Sequence, residues 1–381
     1  MKKRLLMVVS YILVAALSSF LTLAVFVGLG GSSKLDQLSS LIDACYIDDV
    51  DVVKLEDAAA SAMVKAAGDR WSYYIPAAQW ATYVEESENA YVGIGITISV
   101  SGDGEGFQVM EVNENGPAAE AGILVDDVII AIAGQSVSGL TTTDGRNLVR
   151  GEEGTPVEIT LRRNGETIVL SVLRQKVEVT VVWSEMLTED IGLITIDNFE
   201  SRSAGEAIGA IESLLEQGAE KLIFDVRNNP GGYASELVEV LDYLLPEGDL
   251  FRTVNYLGNE DVDTSDANAL DIPMAVLVNG DSYSAAEFFA VALQEYGAAV
   301  VVGEKTTGKG YFQQTFSLSD GSAVALSTGK YFTPNGISLE GVGITPDVEI
   351  VVDQETALEI YYGQLQSMED PQILAALEAL K

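Results

Sequence analysis

Ser284, Lys309 and Gln313 are the residues of this sequence whose types and spacing best suit hydrolytic chemistry. The chain contains no histidine, which removes Ser-His-Asp and Cys-His catalysis and every histidine-ligated metal site. A hydrolase built on it must use another base. Ser284 stands in Val276-Leu277-Val278-Asn279-Gly280-Asp281-Ser282-Tyr283-Ser284-Ala285-Ala286-Glu287, which reads as a buried strand, a sharp turn and a helix running to Gln294. A serine at such a junction exposes its hydroxyl beside helix N–H groups, which suit an oxyanion. Downstream comes Gly308-Lys309-Gly310-Tyr311-Phe312-Gln313. If the chain is extended from Lys309, then Lys309, Tyr311 and Gln313 share a face, and Gln313 can hold the lysine amine in place. Ser282 with Lys305 is the alternative pair.

A second glycine-rich turn follows an apolar strand in Asp225-Val226-Arg227-Asn228-Asn229-Pro230-Gly231-Gly232. An N–H from Gly231 or Gly232 together with that of Ala285 would make an oxyanion hole. As a base, Lys309 must be neutral. Moving a lysine from ~10.4 to between ~7 and ~8 takes about 4 kcal/mol, which burial can supply if no carboxylate touches the amine. Glu304 and Lys305 read as solvated turn residues.

The elements that must position these groups fall into successive segments. Residues 1–33 read as a short cytoplasmic stub and a transmembrane anchor: Leu5 to Leu29 carry no charge over 25 residues, and Lys2, Lys3 and Arg4 precede them. Everything after Ser33 would then lie outside the cell. Residues 34–89 show helical spacing, residues 90–177 short β-rich runs punctuated by glycine, residues 178–353 strands alternating with helices, and residues 354–381 a helical pattern broken at Pro371. The fold class expected is multidomain α+β. Beyond the first three cations the balance is 18 basic against 58 acidic residues, −40, so nucleic acid is an unlikely partner on charge grounds. Cys45 is the single cysteine, so no intrachain disulfide or thiolate cluster forms, and no metal or other cofactor is expected.

Tyr91-Val92-Gly93-Ile94-Gly95-Ile96, with Asn115-Gly116-Pro117-Ala118-Ala119-Glu120-Ala121-Gly122-Ile123 and Asp126-Asp127-Val128-Ile129-Ile130, resembles a PDZ domain. The resemblance implies that Val92, Gly93, Ile94, Gly95 and Ile96 hold a peptide's terminal carboxylate and offer an open strand edge. Asp126 stands where such domains usually carry glycine.

The Ser284, Lys309 and Gly231-Gly232 motifs, in that context, resemble those of the carboxyl-terminal processing proteases, also called tail-specific proteases. The resemblance implies Ser284 as nucleophile, Lys309 as base, Gln313 as its orienting partner, and an α/β layered, crotonase-like catalytic domain. Tyr283 and Asp281 depart from the family's usual Ala and Gly. The expected function is a membrane-anchored, extracytoplasmic serine endopeptidase that captures the free C-termini of proteins or peptides. A catalytically silent PDZ scaffold is the alternative; an acyl-thioester enzyme of crotonase type is a third reading. Arg150 is a candidate link between the tail-binding module and the catalytic domain, and the helical ends are candidates for a homodimer contact.

Overall fold

The computed structural model describes residues 33–381. The apolar run expected as an anchor lies outside the described residues, and among those described no helix is long and apolar enough to cross a membrane. The chain divides after Tyr74 into two compact units. In the first, helix Lys34–Cys45 starts from a capping box between Ser33 and Asp36, and helix Val52–Ala66 from the Asp51 side chain. Neither helix has a buried residue. The helical reading of residues 34–89 thus covers parts of two units, and a short strand, Tyr73–Ile75, interrupts it.

The second unit contains the β-rich module and the α/β layers. The module's sheet runs in the order Ile96–Val100, Phe107–Val112, Val128–Ile132, Pro156–Arg163, Glu166–Leu173, with Ile96–Val100 at the edge. Its interior is aliphatic around Phe107, with Ile94, Ile129, Ile132, Ile159 and Leu161 buried. Asp126 takes φ 70°, a left-handed conformation that aspartate tolerates better than most residues. That explains why glycine is the ordinary occupant and why the turn survives without it.

The α/β layers centre on a sheet ordered Val182–Met186, Ile191–Ile196, Lys221–Asp225, Met274–Val278, Ala299–Gly303, Val348–Glu349, parallel after its first, antiparallel pair. Alternation along the strands sends Ile194, Phe224 and Val276 to one face, under helices Ser203–Glu216, Ala234–Leu244 and Ala285–Glu295. It sends Leu193, Ile223 and Leu277 to the other, under Ile373 and Ala376 of helix Pro371–Ala379. Pro371 starts this helix as its first residue, where a missing N–H costs nothing, so the proline read as a break is a beginning. A second, antiparallel sheet carries Glu260–Ser265, Gly248–Asn255, Ala323–Phe332 and Tyr311–Ser317 in that order.

Candidate active site

Strand Met274–Val278 is buried throughout, and after the turn Ser284 sits at the head of helix Ala285–Glu295. Its backbone is held at φ 58°, ψ −125°, a conformation costing a non-glycine residue about 1–3 kcal/mol that surrounding contacts must offset. Those contacts are explicit. The Ser284 N–H donates to Glu287 Oε2 at 3.1 Å, and Tyr283 N–H donates to the Asn229 carbonyl at 3.1 Å. Ser282, the alternative nucleophile, is fully buried and donates its hydroxyl to the Val226 carbonyl at 2.7 Å, so it braces the turn. Its proposed partner Lys305 is exposed.

Glu287 is the residue that reading the sequence for chemistry missed. It is wholly buried, three places after Ser284. Oε2 accepts the N–H groups of Ser284 and Lys309, the latter at 2.8 Å, while Oε1 accepts the Gly308 N–H at 2.8 Å and the Thr306 hydroxyl at 2.5 Å. One carboxylate therefore fixes both the serine turn and the lysine loop. The signal was present as Ser-Ala-Ala-Glu, the spacing of a helix capping box.

The lysine loop is not a strand. Extended structure begins at Tyr311, and a bulge between Phe312 and Gln313 breaks the alternation on which a shared face for Lys309 and Gln313 depended. Gln313 Nε2 instead donates to the Tyr311 carbonyl at 3.1 Å and to Ser327 Oγ at 3.0 Å, anchoring the amide to the hairpin. Lys309 is half-buried, and its Nζ stands 5.6 Å from the centre of the Tyr283 ring, next to the serine. A carboxylate also lies within its electrostatic reach. Burial pushes Glu200 up to about 7, opposed by the charge of Lys309 and reinforced by Glu236. Glu304, read as solvated, is half-buried and accepts the Val352 N–H at 3.2 Å.

Gly231 lies against the serine turn and Gly232 against the backbone of Phe199, which precedes Glu200. A Cβ on Gly231 would come within 2.7 Å of Ser284 Cβ and 2.9 Å of the Ala285 nitrogen; one on Gly232 would collide with the Phe199 carbonyl carbon at 2.1 Å. Only glycine allows this approach. The Gly231 N–H, however, is taken by Asn229 Oδ1 at 2.8 Å. Phe199 bonds Gly231 O and Tyr233 N–H, so the Gly232 N–H points to the opposite edge. Among the described residues no acceptor takes the Gly232 or Ala285 N–H. Beside Ser284 is a small pit of about 10 Å³ lined by Leu237, Phe251, Phe288 and Tyr331. Burial pushes the Tyr331 hydroxyl up to about 12, with Asp263 adding, so the pit stays uncharged.

A larger cavity, about 690 Å³, lies between the β-rich module and its neighbours and is lined by Val92, Gly93, Ile94, Gly95, Ile96 and helix Thr142–Val149. Among the described residues no acceptor takes the Ile94 or Gly95 N–H. At its rim Arg150 donates to Glu85 at 2.6 Å and Thr82 at 3.2 Å, both on helix Ala77–Ser87. The expected link from Arg150 thus reaches that helix rather than the catalytic strands. The segment after the helix continues the path: Asn89 Nδ2 donates to Asn198 Oδ1 and to the Ser201 carbonyl, each at 3.0 Å.

A strained serine heading a helix, tied through one carboxylate to a lysine loop, has the make-up of a serine hydrolase. Residues 190–350 match peptidase family S41, and residues 108–163 match the PDZ domain. The chain is 34% identical over 325 residues to the carboxy-terminal processing protease CtpA of Bacillus subtilis, covering 84% of this chain and 69% of that one. A CtpA-like serine protease of Staphylococcus aureus is 33% identical over 337 residues, covering 86% of this chain and 66% of the relative's length. The fold is similar to that of an S41-type protease from Bacteroides fragilis, with a TM-score of 0.50 at 16% identity, over 84% of this chain and 89% of that chain. The chain belongs to peptidase family S41, the carboxy-terminal processing serine proteases.

Proposed function

We propose that this protein is a membrane-anchored endopeptidase whose catalytic part faces away from the cytoplasm, and that it captures the C-termini of polypeptides on its PDZ module and cleaves them through an acyl-enzyme on Ser284. The arrangement carrying this reading is Glu287, which binds the backbones of Ser284 and Lys309 with one carboxylate oxygen. In this mechanism the neutral amine of Lys309 takes the Ser284 proton as the oxygen attacks the scissile carbonyl. The resulting oxyanion is met by the N–H groups of Gly232 and Ala285; losing one such donor typically costs about 3 kcal/mol of transition-state stabilisation. Protonated Lys309 returns the proton to the leaving amine, and water then releases the acyl group by the same route in reverse.

Gln313 spends Nε2 on Tyr311 and Ser327, so in this mechanism a bond from the Lys309 amine would be accepted by its amide oxygen. The half-buried setting favours the neutral amine by removing water, whereas the Tyr283 ring face and an ionised Glu200 both favour the ammonium. The uncharged run of Leu5 to Leu29 after three cations supports the anchor and its orientation.

Hydrolysis of an unstructured protein by the purified full chain tests the reading. Activity is expected to vanish in Ser284→Ala and Lys309→Ala, and to fall when the substrate's C-terminus is amidated. Retained activity in either variant overturns it.

A further inference from the structure

We infer that the PDZ groove selects tails that end in an aliphatic residue and carry a carboxylate side chain two positions before it, read by Arg146. This rests on the tail-capture reading of the same module. Strand Ile96–Val100 is the edge of its sheet, so an extended peptide can add to it. With the terminal carboxylate on the open Ile94 and Gly95 amides, the last side chain enters a floor of Ile94, Ile129 and Ile132, closed by Val149 of the facing helix. That floor is aliphatic, and it excludes a charged end.

On the same helix Thr142, Arg146 and Val149 share the groove face at spacings of four and three residues. Arg146 is thus about one turn, roughly 5 Å, from Val149. Alternate peptide side chains advance by roughly 6.6 Å and point the same way, so the side chain two before the end faces Arg146. The groove as a whole is not basic, so an acid there is favoured only by the cation directly facing it. The groove's charged lining consists of Glu85, Glu86, Arg146, Arg150 and Asp197. Arg150 is committed to Glu85, and among the described residues no carboxylate pairs with the exposed Arg146. Elsewhere the chain's large negative balance repels an acidic tail, so recognition of one depends on this local cation.

The test is fluorescence anisotropy with the full chain in detergent, carrying Ser284→Ala so that bound peptide is not cleaved. Labelled peptides ending in valine and bearing Glu, Gln or Lys two positions earlier are compared. The Glu peptide is expected to bind about three- to fivefold tighter than the Gln peptide, with Lys weakest, as for an exposed ion pair. Arg146→Glu should reverse that order while leaving the thermal midpoint unchanged. Equal binding of the Glu and Gln peptides, or an order that Arg146→Glu does not alter, overturns the inference. An amidated Glu peptide separates the two levels. If it binds as tightly as the free acid, tail capture itself fails; if it binds weakly while the three free peptides bind alike, tail capture stands and the role of Arg146 falls.

Discussion

Glu287 and Lys309 are joined backbone to side chain at 2.8 Å, through the same carboxylate oxygen that holds the Ser284 N–H at 3.1 Å. The serine turn and the lysine loop are 25 residues apart in sequence, yet they share one buried acceptor. An error in either loop is therefore passed to the other.

Glu287→Ala should be damaging out of proportion to its distance from the chemistry. It leaves the N–H groups of Ser284, Gly308 and Lys309 and the Thr306 hydroxyl without their acceptor. Each buried donor so stranded costs about 1–3 kcal/mol. We expect the urea midpoint to fall by an amount equivalent to at least about 3 kcal/mol and kcat to drop at least about 100-fold. Glu287→Gln should be intermediate, because an amide offers one acceptor oxygen instead of two.

Glu200 should leave a pH signature. Its folded value near 7 lies above its ordinary 4.5, so its contribution to stability is fully present below pH 4.5 and is lost as pH rises through 7. Glu200→Gln, neutral throughout, should gain stability relative to wild type between those values and level off above them, by on the order of 2–3 kcal/mol. The same change removes a negative charge that favours the Lys309 ammonium. The acid limb of kcat/KM should therefore move to lower pH. Urea titrations and rate profiles from pH 5 to 10 check both, and an unmoved acid limb contradicts the electrostatic link.

Arg227 should be a stability residue rather than a chemical one. Its guanidinium joins Asp225, at the end of a central strand, to Asp370 at 2.8 Å, and all three are buried. Asp370 also caps helix Pro371–Ala379. Removing the cation leaves two buried carboxylates unpaired, so Arg227→Met should cost about 3–5 kcal/mol in urea unfolding. A loss under about 1 kcal/mol contradicts this.

What sequence reading recovered here was mostly local. The strand, turn and helix around Ser284 follow from an apolar run, a Gly/Asp/Ser turn and a helix-forming stretch within a dozen residues. The helices of residues 34–66 follow from the helical spacing of their apolar residues. What it missed depends on partners distant in the chain. Nothing near Lys309 announces the bulge at Phe312 and Gln313, which arises from pairing with strand Ala323–Phe332. Gly231 and Gly232 look equivalent in sequence, and only the neighbouring Asn229 side chain and the Phe199 backbone separate their N–H groups. Glu200 acquires its meaning from burial beside Gly232 and from Lys309, more than 100 residues onward.

Arg150→Ala tests whether the PDZ module is coupled to the α/β layers through helix Ala77–Ser87. It removes the 2.6 Å pair with Glu85 while leaving the Asn89 bonds to Asn198 and Ser201 in place. Cleavage of a substrate with a free C-terminus, relative to its amidated counterpart, should fall about fivefold, the lower range for coupled sites. An unchanged ratio removes Arg150 from the path.

The central claim is that Ser284 forms the acyl-enzyme and that Lys309 takes its proton. The most direct measurement is peptide mapping by mass spectrometry of the full chain quenched during turnover of a slow ester substrate at pH 8. We expect the acyl group on Ser284 in the wild type, and its formation slowed at least about 1,000-fold in Lys309→Ala, within the range for loss of a general base. An adduct on another residue, or acylation of Ser284 as fast without the Lys309 amine, would contradict the account.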